Sequence, residues 1–190
     1  MKRILVFLIP GLLPLLLLLP GSGGYSFASQ QAQYSDIAIA HLPNALFLQQ
    51  TIWHDHQLPL WSPLILGGAP FAAHPLSGLW YPPGWLALLF PLPLGLNLAL
   101  LLHLLWGAAG MFSFLQALGL GRAAAIFGAA GFASLPRLYA HFGAGHLTLV
   151  YALCWLPWLL WAASAGRRRF LYLEGLFLAA SFLADVRWSL

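Results

Sequence analysis

From Pro93 to Leu118 the chain carries no Asp, Glu, Lys or Arg. A helix of that length, rising 1.5 Å per residue, is long enough to cross the roughly 30 Å of hydrocarbon in a bilayer. Pro93 suits a first helical turn. Gly119-Leu120-Gly121 offers a C-terminal cap directly before Arg122. Other apolar runs end in the same way, at basic residues. Charged side chains make up 6% of the 190 residues and hydrophobic ones 61%, against about 25% charge in a soluble domain. Eight Lys/Arg and four Asp/Glu cannot cover a water-facing surface. The solvent for most of this chain is therefore lipid.

The pattern predicts an all-α, polytopic transmembrane helix bundle of about five spans, with an external loop carrying interfacial helices after the first span. The first span covers residues 4–20 behind Lys2-Arg3. The alternative is a cleaved signal peptide, because Ser26-Phe27-Ala28 follows a Gly/Ser turn at 21–24. Residues 21–92 form the loop, with a helix expected from Ser35 or Asp36 to about Trp53, interrupted at Pro43. Residues 84–91 are too short to span and read as a re-entrant or surface piece. A four-span bundle follows at 93–118, 123–140, 147–163 and 170–187. A small-residue face at Ala124, Gly128 and Gly131 suits close helix contact in the first of the shorter spans.

Basic residues orient the spans. With Lys2 and Arg3 cytoplasmic, the turns at Arg122 and at Arg167 to Arg169 fall inside too. Arg137 and Arg187 lie at outer ends of spans. The chain is thus expected in the cell membrane, N-terminus cytoplasmic, loop 21–92 external and membrane lipid as its constant partner. Basic residues at span ends do not form a phosphate-binding face, so nucleic acid is excluded as a partner. Cys154 is the only cysteine, which excludes an intramolecular disulfide.

This topology gathers the polar chemistry outside: Asp36, Asp55, Asp185, His41, His54, His56, His74, His141 and His146. Asp36 is the leading candidate, as general base toward an acceptor hydroxyl, as a ligand for a divalent metal ion, or as a plain helix cap. His54 and His56 flank Asp55 as metal candidates, but residues two apart share a face only in extended chain. His141 and His146 flank an outer turn, where satisfying backbone groups is the default role. Arg137 and Arg187 suit a phosphate at headgroup level or snorkelling to the interface. Trp53, Trp61, Trp80, Trp85, Trp155, Trp158 and Trp161 read as interfacial anchors. No phosphate-binding glycine loop, nucleophile elbow or zincin helix is present in the sequence.

Several short segments add a family resemblance: Ser35-Asp36-Ile37, His56-Gln57-Leu58-Pro59-Leu60-Trp61-Ser62-Pro63, Gly67-Gly68-Ala69-Pro70, Tyr81-Pro82-Pro83, Gly110-Met111-Phe112, Gly145-His146 and Trp155-Leu156-Pro157-Trp158. In this order, after a basic N-terminus and one span, they resemble the GT-C class of membrane glycosyltransferases, and more narrowly the YfhO-type bacterial membrane proteins. The resemblance implies transfer of a sugar from a polyprenyl-phosphate donor at the outer face, with Asp36 as the first-loop catalytic carboxylate. His41, Arg137, His146 and Arg187 are then candidate substrate contacts. No cofactor is implied beyond, at most, a divalent metal ion, for which Asp36, His54 and His56 are the candidate ligands. Such folds hold more spans than this sequence, so the chain is expected to be the N-terminal part of a longer protein. The competing expectation is a non-catalytic membrane bundle, transporter-like or an assembly partner; for a transporter, His103 is the residue within a span.

Overall fold

A computed structural model describes residues 35–65, 67–164 and 168–187. The expected span at 4–20, its signal-peptide alternative and the side chains of Arg167 to Arg169 lie outside the described residues. Within them the fold is helical, with Ser62 and Ala69 forming an isolated antiparallel bridge. A π-helical turn, Ile37–His41, leads into α1, Leu42–Trp53. Two 3₁₀ turns follow, Phe71–Ala73 and Pro82–Leu89. The remaining helices are α2, Leu94–Ala117; α3, Arg122–Ala133; α4, Pro136–Gly143; α5, Leu147–Leu153; α6, Leu156–Ser164; and α7, Arg168–Ala184.

Pro43 does not interrupt the first helix. It falls in the first turn of α1, where a missing N–H costs least. The preceding turn is wound so that Leu42 N–H reaches back to Ile37 O. Ser35 begins the turn: its carbonyl accepts from Ala38 and Ile39 N–H at 2.9 and 3.0 Å. Asp36 makes no side-chain capping bond, which leaves its carboxylate for tertiary contacts.

Two stretches, Leu94–Ala117 and Leu147–Ser164, are long and apolar enough to cross a membrane. The second combines α5 and α6, with a break at Cys154-Trp155 just before Pro157. The expected span at 123–140 is instead two helices of 12 and 8 residues. Ser134 and Leu135 leave helical geometry there, because the residue before Pro136 is pushed toward extended backbone. At 170–187 the helix ends at Ala184, and its apolar part, Leu171–Ala184, is shorter than a full span.

α2 is the central helix, packed against α3, α6 and the Pro82–Leu89 turn, while α7 covers α5 and α6. Small residues set the spacing. The contact face of α3 is Ala125, Ala129 and Ala133, all fully buried, with Gly128 against Leu115. Of the expected face, Gly128 borders α2, whereas Ala124 is exposed and nothing lies within 4 Å of a Cβ at Gly131. The period i, i+4, i+8 from Ala125 points at α2. Outward-facing residues are large and apolar: Phe127 is 82% exposed, and Ile39, Leu102, Leu171 and Leu176 are exposed as well. So much exposed apolar surface on one chain marks a membrane or partner face.

Gly107 shows how tight the centre is, since a Cβ there would lie 2.7 Å from Phe132 and 3.2 Å from the Cys154 backbone. Gly107→Ala should therefore destabilise by about 1–3 kcal/mol, the usual cost of overpacking. Gly131→Ala should be neutral or slightly stabilising, through helix propensity alone. Thermal melts of the two purified variants in one detergent check the contrast.

Candidate functional site

The loop 72–90 and the ends of α5 and α7 close around α1. The polar residues of α1 serve this packing. Buried Asn44 donates Nδ2–H to Leu76 O at 2.9 Å, and Gln49 Nε2–H to Leu88 O at 2.9 Å. Trp80 and Trp85 donate their indole N–H to Ala72 O and Gly78 O. These bonds satisfy loop carbonyls that no regular secondary structure pairs.

The N-terminus of the π turn is seated on the turn between α4 and α5. Gly145 there has φ +91°, and a Cβ would stand 2.6 Å from Asp36 N and 2.9 Å from Ile37 N. Only glycine permits both the backbone angle and the approach. Its neighbour His146 then faces Asp36, Nε2 to Oδ2 at 3.8 Å, and each side chain is partly exposed. On the other edge of the ring, His146 Nδ1 meets His141 Nδ1 at 3.2 Å. A carboxylate favours a proton on His146 Nε2, so the consistent tautomers have His141 Nδ1–H donating to His146 Nδ1. The pair thus bonds side chain to side chain rather than to the backbone, as its turn position had suggested. Burial, His146 and Arg137 together hold His141 below its ordinary pKa.

Two residues beyond His146, Thr148 donates Oγ1–H to Asp185 Oδ2 at 2.9 Å. Arg187 closes a bidentate pair on the same carboxylate, Nε to Oδ1 at 3.0 Å and Nη2 to Oδ2 at 2.8 Å. Asp185 is 2% exposed and Arg187 51%. Burial opposes ionisation of Asp185, but the bonds from Arg187 and Thr148 outweigh it and hold the carboxyl below its usual pKa. Arg187 is therefore committed to a carboxylate that sequence reasoning left without a partner. The signal was present in the Asp185-Val186-Arg187 spacing just after a helix end.

His41 lies between the two groups and feels Asp36, Asp185, Arg187 and His146. Burial is the dominant influence and lowers its pKa to about 4, so the ring is neutral at pH 7. Its Nε2, and the hydroxyl of Tyr151, are buried with no hydrogen-bond partner among the described residues. Such an atom costs about 1–3 kcal/mol. Both residues stand in the wall of a cavity of about 210 Å³ behind α1.

Of the residues expected to act, Asp36, His41, His146 and Arg187 come together at one end of the bundle. Arg137 joins them at the edge, close enough to His141 to disfavour its protonation. His54 and His56 do not join. Both are exposed beyond the C-terminus of α1, about 25 Å from Asp36 at helical rise. Asp36 and the His54/His56 pair, each a candidate metal ligand from sequence, therefore stand at opposite ends of the helix. Among the described residues no group of three His, Cys, Asp or Glu side chains could hold a metal ion. Asp36 and His141 lie on opposite edges of His146, so the three do not converge on one point. Trp155 and Trp158 are packing residues rather than anchors: Trp155 N–H bonds the Tyr81 hydroxyl at 2.7 Å, and Trp158 stacks on Trp106.

The neutral preference of His41 has a pH signature. Folded, it protonates near pH 4; unfolded, near 6.5. Above 6.5 both states are neutral and stability does not depend on this residue. Between 6.5 and 4 the unfolded chain takes the proton first, so stability should fall with falling pH, by on the order of 3 kcal/mol in all. Melting curves of wild type and His41→Gln across this window should diverge below pH 6.5. No family model, curated protein or solved structure matches this chain.

Proposed function

We propose that the chain forms part of an integral membrane glycosyltransferase that uses a polyprenyl-phosphate-linked sugar at the external membrane face. The observation that carries this reading is the seating of Asp36. Its carboxylate makes no cap bond, is partly exposed, and is backed by the His146–His141 pair. A partly exposed carboxylate with an imidazole behind it suits a general base. The acceptor hydroxyl gives its proton to Asp36 while its oxygen attacks the anomeric carbon. The bond from that carbon to the phosphate oxygen breaks, and the phosphate leaves with the electron pair. His146, held in place by His141, turns its Nε2 edge toward the Asp36 carboxylate and orients it.

Arg137 lies on the same side of the site and suits the leaving phosphate. Arg187 holds Asp185 and through it Thr148, which makes it a positioning residue as much as a substrate contact. No step requires a metal ion. The alternative of a transporter-like bundle rests on His103 within α2. Its Nδ1 is hydrogen-bonded to Ala99 O at 2.7 Å and its Nε2 to the Tyr81 hydroxyl at 2.6 Å. A ring engaged at both nitrogens supports a structural role rather than a transport site.

Asp36→Asn in the full-length protein should reduce release of polyprenyl phosphate from the lipid-linked sugar by about 10²- to 10⁴-fold, the range for loss of a general base. Unchanged turnover with normal membrane insertion would remove Asp36 from catalysis. Orientation is checked separately. A cysteine at Gln31 should react with an impermeant maleimide added outside and one at Ser164 should not; buried Cys154 gives no background. The reverse pattern would move the site to the cytoplasmic face.

A further inference from the structure

His141 and His146 meet through their Nδ1 atoms at 3.2 Å, and both residues are partly exposed. Such a contact needs one N–H and one lone pair. When both rings are neutral, one donates and the other accepts. One extra proton leaves the bond intact, because an imidazolium on either side still donates to its neutral neighbour. A proton on each ring puts a hydrogen on both Nδ1 atoms, and no acceptor remains. The geometry therefore tolerates one added proton and not two. The backbone ties the same turn: Ala144 N–H donates to Ala140 O at 3.0 Å, Gly145 N–H to Phe142 O at 2.9 Å and His146 N–H to His141 O at 2.9 Å.

Around the pair stand Arg137, one turn before His141 on α4; Asp36 and His41, at the start and end of the π turn; and, beyond His41, Asp185 and Arg187, which close on each other. Burial, His146 and Arg137 all disfavour a charge on His141, while the Asp36 carboxylate faces the far edge of His146. We propose that the His141–His146 pair is an acid-sensitive latch on the α4–α5 turn, closed while either ring is neutral and opened when both are protonated. His146 stays in place, because Gly145 beside it is seated against the Asp36 and Ile37 amides and Asp36 faces its ring. His141, in the last turn of the eight-residue α4, is the ring that leaves. The closed form takes the second proton less readily than the open one. The equilibrium therefore stays closed above the ordinary histidine pKa of about 6.5 and moves toward open below it. The latch operates whether or not Asp36 acts as a base.

Hydrogen exchange followed by mass spectrometry on the wild-type chain in lipid nanodiscs tests the latch, with rates corrected for the intrinsic effect of pH. Between pH 7 and pH 5 the fragment containing Ala144, Gly145 and His146 should come to exchange about tenfold faster relative to a fragment of α2, the loss of one good hydrogen bond. Reference to α2 removes the global loss of stability that His41 causes in the same window. His141→Gln keeps a donor for His146 Nδ1 and takes up no proton, so its relative rate should not change with pH. Imidazole ¹⁵N NMR of the wild-type chain is a second readout that needs no variant. The rings of residues 141 and 146 should titrate as a coupled pair in two steps, the signature of a hydrogen-bonded Nδ1 being lost in the second. A turn that exchanges no faster than α2, an acid response retained in full by His141→Gln, or two rings that titrate independently would overturn the proposal.

Discussion

The approach of one backbone to another at Gly145 sets where Asp36 meets the His146–His141 pair. With φ at +91° and the amides of Asp36 and Ile37 against its Cα, Gly145 seats the start of the first described helix on the α4–α5 turn. From that single contact follow the pairing of Asp36 with His146, the reach of His146 to His141, and the position of His41 between two charged groups. The contact joins segments far apart in sequence. It therefore works as a tertiary lock on a chain whose core is largely apolar and non-directional in its packing.

The second constraint is the pairing of backbone groups. Buried N–H and C=O groups need partners, and the loop after α1 has little regular structure with which to supply them. Asn44, Gln49, Trp80 and Trp85 meet that need by donating to loop carbonyls. Tyr81, His103 and Trp155 form a comparable chain against α2. Once these groups are paired, the unpaired ones become informative. Asp36 stands half open to solvent, and His41 Nε2 and the Tyr151 hydroxyl stand buried and unbonded among the described residues. The packing polar residues and the candidate chemical ones differ in this respect and not in residue type.

Much of the helical plan was legible in the sequence, because hydropathy is a local property. The uncharged run at 93–118 became α2, and the run at 147–163 became α5 and α6. Ser35 and Trp53 bounded the first helix as composition suggested, while Pro43 misled because it falls in the first turn of α1, directly after the π turn. The break at Ser134-Leu135 was overlooked because apolar character continues through it; Pro136 was the signal. For the site, residue type identified Asp36, His41, His146 and Arg187, but their partners were not legible. Asp185 meets Thr148 across 37 residues, and no periodicity encodes such a contact. His54-Asp55-His56 looked more like a metal motif than His141 and His146 did. Spacing advertised the pair that is exposed and remote, and chain folding assembled the pair beside Asp36.

The central claim is that residue 36 lies against the α4–α5 turn. Disulfide trapping tests it most directly. The variant with both Asp36→Cys and His146→Cys, oxidised in native membranes, should form an intramolecular disulfide and lose reactivity toward a bulky maleimide. A control with Asp36→Cys and His54→Cys should remain fully reactive. If the 36–146 pair stays as reactive as the control under the same oxidation, the two segments are not in contact and the site described above does not exist.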